Sequence, residues 1–204
     1  MGRRPALRVL GAALATALAG PLAGLAGPRG AWAQNIPTEE AAARKARSLA
    51  QLSREGVPVL PSLPVIATKA QSLRRDPEAV VQRSIGLAIT AVTGELGDPD
   101  LARGLIRQFG ADGFLTPEES AFVLEPHFFD RAQFAWRYEG VRVLLWALGL
   151  ADLPYPDAIV DVGPMTAELR DLGTEGLRRA ARLRPQAEIL DATDLHYRYH
   201  WAVV

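Results

Sequence analysis

No cysteine occurs among the 204 residues. That absence excludes disulfides, thiolate catalysis, a lipoprotein anchor and Cys-ligated zinc, and it leaves stability to the core alone. Histidine is scarce, with only His127, His196 and His200. No serine sits in a G-x-S-x-G elbow, no H-E-x-x-H occurs, and Gly94, Gly97 and Gly104 lack the spacing of a phosphate loop. These gaps remove the motif-borne signatures of α/β-hydrolases, zinc proteases and nucleotide-binding enzymes. Neither sign of charge is in excess, at 23 basic against 23 acidic residues. Alternating apolar and polar runs are missing, so the chain reads as all-α.

The long apolar run is confined to the N-terminus. Arg3, Arg4 and Arg8 precede an Ala/Leu/Gly stretch from Val9 to about Ala26, and Ala31-Trp32-Ala33 has the small-x-small form of a cleavage site. Residues 1–33 therefore read as a secretory signal peptide cut before Gln34. The Arg3-Arg4 pair resembles a twin-arginine export signal, although Gly2 stands where a hydroxyl residue is usual, so Sec export remains open. Pro21 and the Ala/Gly content argue against a retained membrane anchor. The signal holds Arg3, Arg4, Arg8 and Arg29 and no acid; removing those four leaves 19 basic against 23 acidic residues, a net of −4. A mildly acidic chain is a poor partner for nucleic acid or anionic lipid. The expected location is periplasmic or extracellular.

The mature length suits one domain with one core. Residues 34–56 form an N-terminal helix that starts at Thr38, stops at Gly56 and docks loosely through a thin apolar face. Residues 57–204 form a helical domain. Pro58, Pro61 and Pro64 give Val57–Ile66 the period of polyproline II, and its apolar content makes it a strap on the chain's own helices rather than a ligand for another protein. Asp76-Pro77-Glu78 and Asp98-Pro99-Asp100 open two helices, ended by Gly94 and Gly110. Asp112–Glu119 has the end of an EF-hand loop, but Gln108 and Gly110 occupy the first two ligand positions, so the stretch reads as a turn and a Thr116/Glu119 capping box.

Phe134–Gly149 is the densest aromatic segment and predicts the central helix, with Asp130 as N-cap, Gly149 as C′ and both tryptophans mainly in the core. Arg137 falls inside its apolar sector and requires a carboxylate or several carbonyls, with Glu188, Asp191 or Asp194 as the candidate acids. Pro164–Leu172 and Thr174–Leu183 predict two short helices, and Arg178, Arg179, Arg182 and Arg184 a solvated, ion-paired face. Gln186–Val204 predicts the last helix, with an apolar stripe at Leu190, Tyr197, Trp201 and Val204 and an Asp194/Arg198 pair beside it. His196 and His200 share a helix face at i, i+4, the spacing of a metal pair, with His127 as the one further histidine. Without a third ligand, and with Arg198 between them, the pair reads as structural; no cofactor is expected.

Five motifs occur in order: V-L-P-S-L-P-V at Val59–Val65, L-T-P-E-E at Leu115–Glu119, W-R-Y-E at Trp136–Glu139, L-L-W-A-L-G at Leu144–Gly149 and Y-R-Y-H-W-A at Tyr197–Ala202. Together they resemble the bacterial domain-of-unknown-function family four-two-seven-two, from about Val57 to the C-terminus. The resemblance implies a helical domain and no assigned activity. The family's polar motif positions fall on Arg137, Glu139, Arg198 and His200. Two departures stand out: members mostly lack an export signal, and they continue past the histidine-tryptophan motif, whereas this chain ends in mid-helix. The expectation is a buried terminus or a shortened chain.

Two functions compete on these grounds. The first is a non-enzymatic module that binds a protein or small molecule, favoured by export and the missing catalytic signatures. The second is a hydrolase-like enzyme, with or without a metal, using Arg137, Glu139 and His200 beside the aromatic helix. A structural ion-pair network explains the same residues without chemistry.

Overall fold

The computed structural model describes residues 38–153 and 158–202. Among them the regular structure is helix, with no strand: α1 Glu39–Arg54, α2 Pro77–Leu96, α3 Pro99–Phe109, α4 Pro117–Leu124, α5 Phe128–Ala135, α6 Arg137–Ala147, α7 Val162–Ala180 and α8 Gln186–Trp201. The all-α reading holds. The signal-peptide reading (1–33) and Val204 of the expected stripe lie outside the described residues. No described helix is long and apolar enough to cross a membrane.

The described residues divide into two compact units, one within Met1–Arg74 and Pro185–Val204 and the other within Arg75–Arg184. The N-terminal helix pairs with the last one, because its binding face is ionic as well as apolar.

In the first unit Thr38 caps α1, its hydroxyl accepting from the Ala41 N–H, and Gly56 follows the helix at φ 69°. Alongside Ala41 and Leu52, α1 buries Arg44 and Ser48. Arg44 donates from Nε to Asp191 at 2.9 Å and from Nη2 to Glu40 at 2.7 Å, and Arg47 reaches the same Asp191 at 2.8 Å. The Tyr199 hydroxyl donates to Glu55. The expected loose docking is thus corrected: the thin apolar face is supplemented by shared carboxylates. Val57–Ile66 lies on helices of its own unit, as a strap should. Lys45 donates to the carbonyls of Pro61 and Leu63, and Arg198 to that of Pro64 at 3.2 Å. Only Leu63 of the strap is buried, while Val59 and Leu60 stay exposed.

In the second unit α2 is the hub, packing on α3, α4, α5, α6 and α7. Asp76 caps it through the Ala79 N–H, Pro77 opens it, and Gly97 closes it at φ 67°. The expected stop at Gly94 is corrected. Gly94 is inside the helix, and a Cβ there would lie 2.5 Å from the Ala135 nitrogen and 2.7 Å from the Arg131 carbonyl oxygen. Its missing side chain admits the backbone of α5. Gly86 does the same for Phe114, whose carbonyl oxygen would be 2.5 Å from a Cβ. Buried Ser84, Thr90 and Thr93 each donate to the carbonyl four residues back, at 2.8 Å, so α2 buries hydroxyls without leaving them unsatisfied.

Phe134–Gly149 is not one helix. It breaks at Trp136, which ends α5 and starts α6, and Asp130 lies within α5 instead of capping it. Trp146 is buried, but Trp136 is 44% exposed, so one tryptophan and not two belongs to the core. Gly149 is the C′ residue at φ 73°, and the Leu150 N–H returns to the Leu145 carbonyl at 2.9 Å, a Schellman closure. Other carbonyls at that end accept from the N–H groups of Arg182 and Arg184, at 2.8 Å each. Arg184 also donates to the Trp146 carbonyl at 2.7 Å and lies over its ring. Of the basic run, Arg178 pairs with Glu78 and Glu175 as expected, whereas residues 182–184 close a helix end. The two short helices expected after residue 163 are present: α7 is non-helical at Gly173 (φ 58°, ψ −178°), which separates its two halves.

Two glycine substitutions of opposite sign test this packing. Gly94→Ala should destabilise the protein by about 1–3 kcal/mol, the cost of overpacking a closed contact. Gly104→Ala, in α3 with nothing within 4 Å, should stabilise it by about 0.5–1 kcal/mol. Urea denaturation of the two variants measures both signs.

Candidate functional site

The residues singled out in the sequence fall in different units: Arg137 and Glu139 in the second, Arg198 and His200 in the first. Within the second unit, Arg137 and Glu139 also have different surroundings. Arg137 opens α6 with its guanidinium 5.5 Å from the centroid of the Phe134 ring. Its charge reaches Glu119 as the smallest of the influences on that carboxyl, and Asp191 and Asp194, expected to pair with it, have partners in their own unit. Asp191 is taken by Arg44 and Arg47, and Asp194 by Arg198.

Glu119 is almost fully buried and reads in two directions. It completes the capping box at the start of α4, accepting from the Thr116 N–H at 3.0 Å while its own N–H donates to the Thr116 hydroxyl. It also takes a two-pronged hydrogen bond from Arg83, Nη1 to Oε2 at 2.6 Å and Nη2 to Oε1 at 2.7 Å. Burial pushes its carboxyl up, but the Arg83 fork, the Thr116 N–H and the charges of Arg83 and Arg137 outweigh burial and hold it below the usual range.

Glu139 has no such compensation. It is equally buried and accepts from the Val160 N–H at 2.9 Å. Burial pushes its carboxyl above the usual range, and neither that N–H nor the charge of Arg142 reverses the shift. Its neighbour Tyr138 donates to Glu95 at 2.6 Å, and burial together with that bond raises the phenol.

In the first unit, Arg198 and Asp194 form a closed pair at 2.9 and 2.8 Å with both side chains out of solvent. The expected i, i+4 pair is present, but it is itself buried. The buried residues of α8 are Leu190, Asp194, His196, Arg198 and Tyr199, on more than one side of the helix, whereas Tyr197 is half-buried and Trp201 is 44% exposed. His196 Nδ1 meets the Ala192 carbonyl at 2.8 Å, and burial pushes its imidazole down, toward the neutral form. His127 is exposed, with Glu125 at 4.0 Å. Among the described residues, no three His, Asp or Glu side chains are grouped to hold a metal ion. Among them too, Arg137 Nε, Arg198 Nη1, His196 Nε2 and His200 Nδ1 are buried without a hydrogen-bond partner.

A concave feature of the second unit lies elsewhere. A cleft of about 180 Å³ opens between α2, α3 and α7. Ile85, Ile89 and Val92 of α2 form one wall, and Leu101, Leu105 and Phe109 of α3 the other. Thr166, Leu169 and Arg170 of α7 complete it. Asp98 caps α3, accepting from the N–H groups of Asp100 and Leu101, and Gly110 ends it at φ 60°, so the short helix presents its apolar face as one strip. The two apolar faces were visible in the sequence at helical spacing; that they do not close on each other was not. In the first unit a more polar hollow of about 490 Å³ lies beside Arg44, Arg47 and Arg54 with Asp191 and Glu188.

The model of a family described as "Domain of unknown function (DUF4272)" matches residues 44–204. Neither the curated proteins nor the solved structures include a match to the chain.

The two buried glutamates should respond to pH with opposite signs. The stabilisation from Glu119 is present above the ordinary carboxylate pKa and is lost as pH falls through its lowered value. Glu119→Gln should therefore cost about 3 kcal/mol at pH 7, the low end for breaking a buried pair because Arg83 keeps 24% of its side chain in solvent, and much less near pH 3. Glu139 destabilises the fold as pH rises from the ordinary value through its raised one. Glu139→Gln, which keeps an acceptor for Val160, should raise the melting temperature at pH 8 and leave it unchanged at pH 4. Thermal unfolding across pH checks both.

Proposed function

The chain belongs to the DUF4272 family, and on that premise we propose that it is an exported, non-catalytic binding module with its ligand site in the cleft between α2, α3 and α7. The supporting observation is that cleft: concave, about 180 Å³, and lined mainly by aliphatic side chains on three helices of one unit. Small-molecule sites are hollows of this kind, apolar with few polar groups. An apolar cavity of about 150 Å³ accepts a benzene-sized guest, so the cleft suits a ligand of one ring or a short chain.

The buried ionic groups support binding over catalysis. Arg137 lies over the Phe134 ring, while Glu139 accepts from the Val160 amide. A hydrolase needs its base and its charge-stabilising group converging on one point, and these two side chains diverge. Arg83–Glu119 ties α2 to α4, whereas Asp194–Arg198 lies within α8. Export rests on the basic start, the apolar run and the Ala31-Trp32-Ala33 site of residues 1–33. An exported module of this kind works in the periplasm or outside the cell.

Titration of the purified chain with octan-1-ol tests the site. Saturable one-site binding is expected, with a Kd on the order of 1 mM or tighter. Leu105→Trp, which fills the cleft from α3, should abolish it while unfolding stays cooperative. Octanol heats that never saturate, or that persist unchanged in Leu105→Trp, contradict the proposal.

A further inference from the structure

One charged residue lines the cleft, and it stands on the exposed side of α7. We infer that the ligand is an amphiphilic carboxylate, with its chain or ring between Ile89, Leu105 and Leu169 and its carboxylate on Arg170. This rests on the reading of the cleft as a binding site and adds the chemistry of the ligand's head.

Size sets the apolar part. A volume of about 180 Å³ equals the share of roughly six water molecules in the liquid, which limits the buried portion to one ring or roughly six to eight carbons. Fatty acids of membrane length exceed it. The walls supply no hydrogen bond deep in the site, so the polar end of the ligand stays at the rim.

The rim sets the head group. Thr166 directs its hydroxyl proton to its own helix, donating to the Val162 carbonyl at 2.8 Å and the Gly163 carbonyl at 3.1 Å. It has no proton left for a ligand. Arg170 does: its guanidinium carries five N–H donors in a planar fork matched to a carboxylate. Its side chain is 68% exposed, and its ion pair is with the adjacent Asp171, 3.8 Å from Nε and beyond hydrogen-bond distance. A ligand carboxylate therefore gains the fork without breaking a buried bond. A cationic amphiphile would meet a like charge there.

Three probes of equal chain length separate the alternatives by calorimetry on the purified chain at pH 7.5. Octanoate should bind one to one, about fivefold tighter than octan-1-ol, as an exposed pair allows, and octylamine more weakly than either. Arg170→Gln should erase the octanoate preference while leaving octanol binding and the unfolding midpoint unchanged, and Arg170→Lys should retain part of it. Octanol binding as tight as octanoate, or a preference that survives Arg170→Gln, overturns the head-group assignment while leaving the cleft as a site. Failure of all three probes to saturate overturns the site itself. A dimer in sedimentation that Leu105→Glu splits would give the cleft to a second copy of the chain and likewise overturn the inference.

Discussion

The second unit depends on how closely the α5 backbone approaches α2 at Gly94. With no Cβ on α2, the Ala135 nitrogen and the Arg131 carbonyl sit where a side chain would be. That approach lets Arg131 donate from Nε to the Gly94 carbonyl at 3.0 Å, with a further bond to the Glu95 carbonyl, so the C-terminal carbonyls of α2 have a partner. It also brings Phe134 onto Phe122 of α4, ring centroids 3.8 Å apart. One missing methyl thus links α2, α4 and α5. The same helix carries Ile85, Ile89 and Val92 toward α3 and α7. There no glycine lets the backbones close, and bulky aliphatic side chains hold the walls apart. Tight packing on one face of α2 and a gap on another follow from where its glycines fall.

Charge is handled locally. Each strongly buried carboxylate of α4 and α8 is tied to an arginine by two hydrogen bonds, Glu119 to Arg83 and Asp194 to Arg198. Such pairs contribute little net stability relative to an apolar core, but removing one member strands the other. The Glu119 pair ties α4 to α2, and the Asp194 pair lies within α8. Glu139 differs, because burial is opposed only by one amide and a more distant guanidinium. It is the least compensated of the buried carboxylates described here, and it lies apart from the cleft.

Much of the architecture was legible in the sequence because it is written in local chemistry. Thr38, Asp76, Asp98 and the Thr116/Glu119 box cap helices as their spacing implies, and Gly56, Gly110 and Gly149 follow helix ends at positive φ. The errors arose where a local signal had a long-range meaning. Gly94 looked like a stop and is a contact, and Gly97 three residues later is the stop. Phe134–Gly149 looked continuous because aromatic density says nothing of the break at Trp136. That Arg137 sits among apolar groups was readable, but not that it would lie over the Phe134 ring while Glu119 pairs with Arg83, since both depend on tertiary placement. The motif residues drew attention to buried ion pairs. The cleft carries no motif at all; it is the shortfall between two apolar faces, and a shortfall has no sequence signature.

The central claim is that ligand binding belongs to this cleft and not to the polar motif positions. Methyl-selective NMR of the chain titrated with octanoate tests it directly. Saturable shifts of the Ile85, Ile89, Leu105 and Leu169 methyl groups are expected, with those near Arg137, Glu139 and His200 unmoved. Shifts confined to Val141, Val143 or Leu195, with the cleft methyls silent, would contradict it.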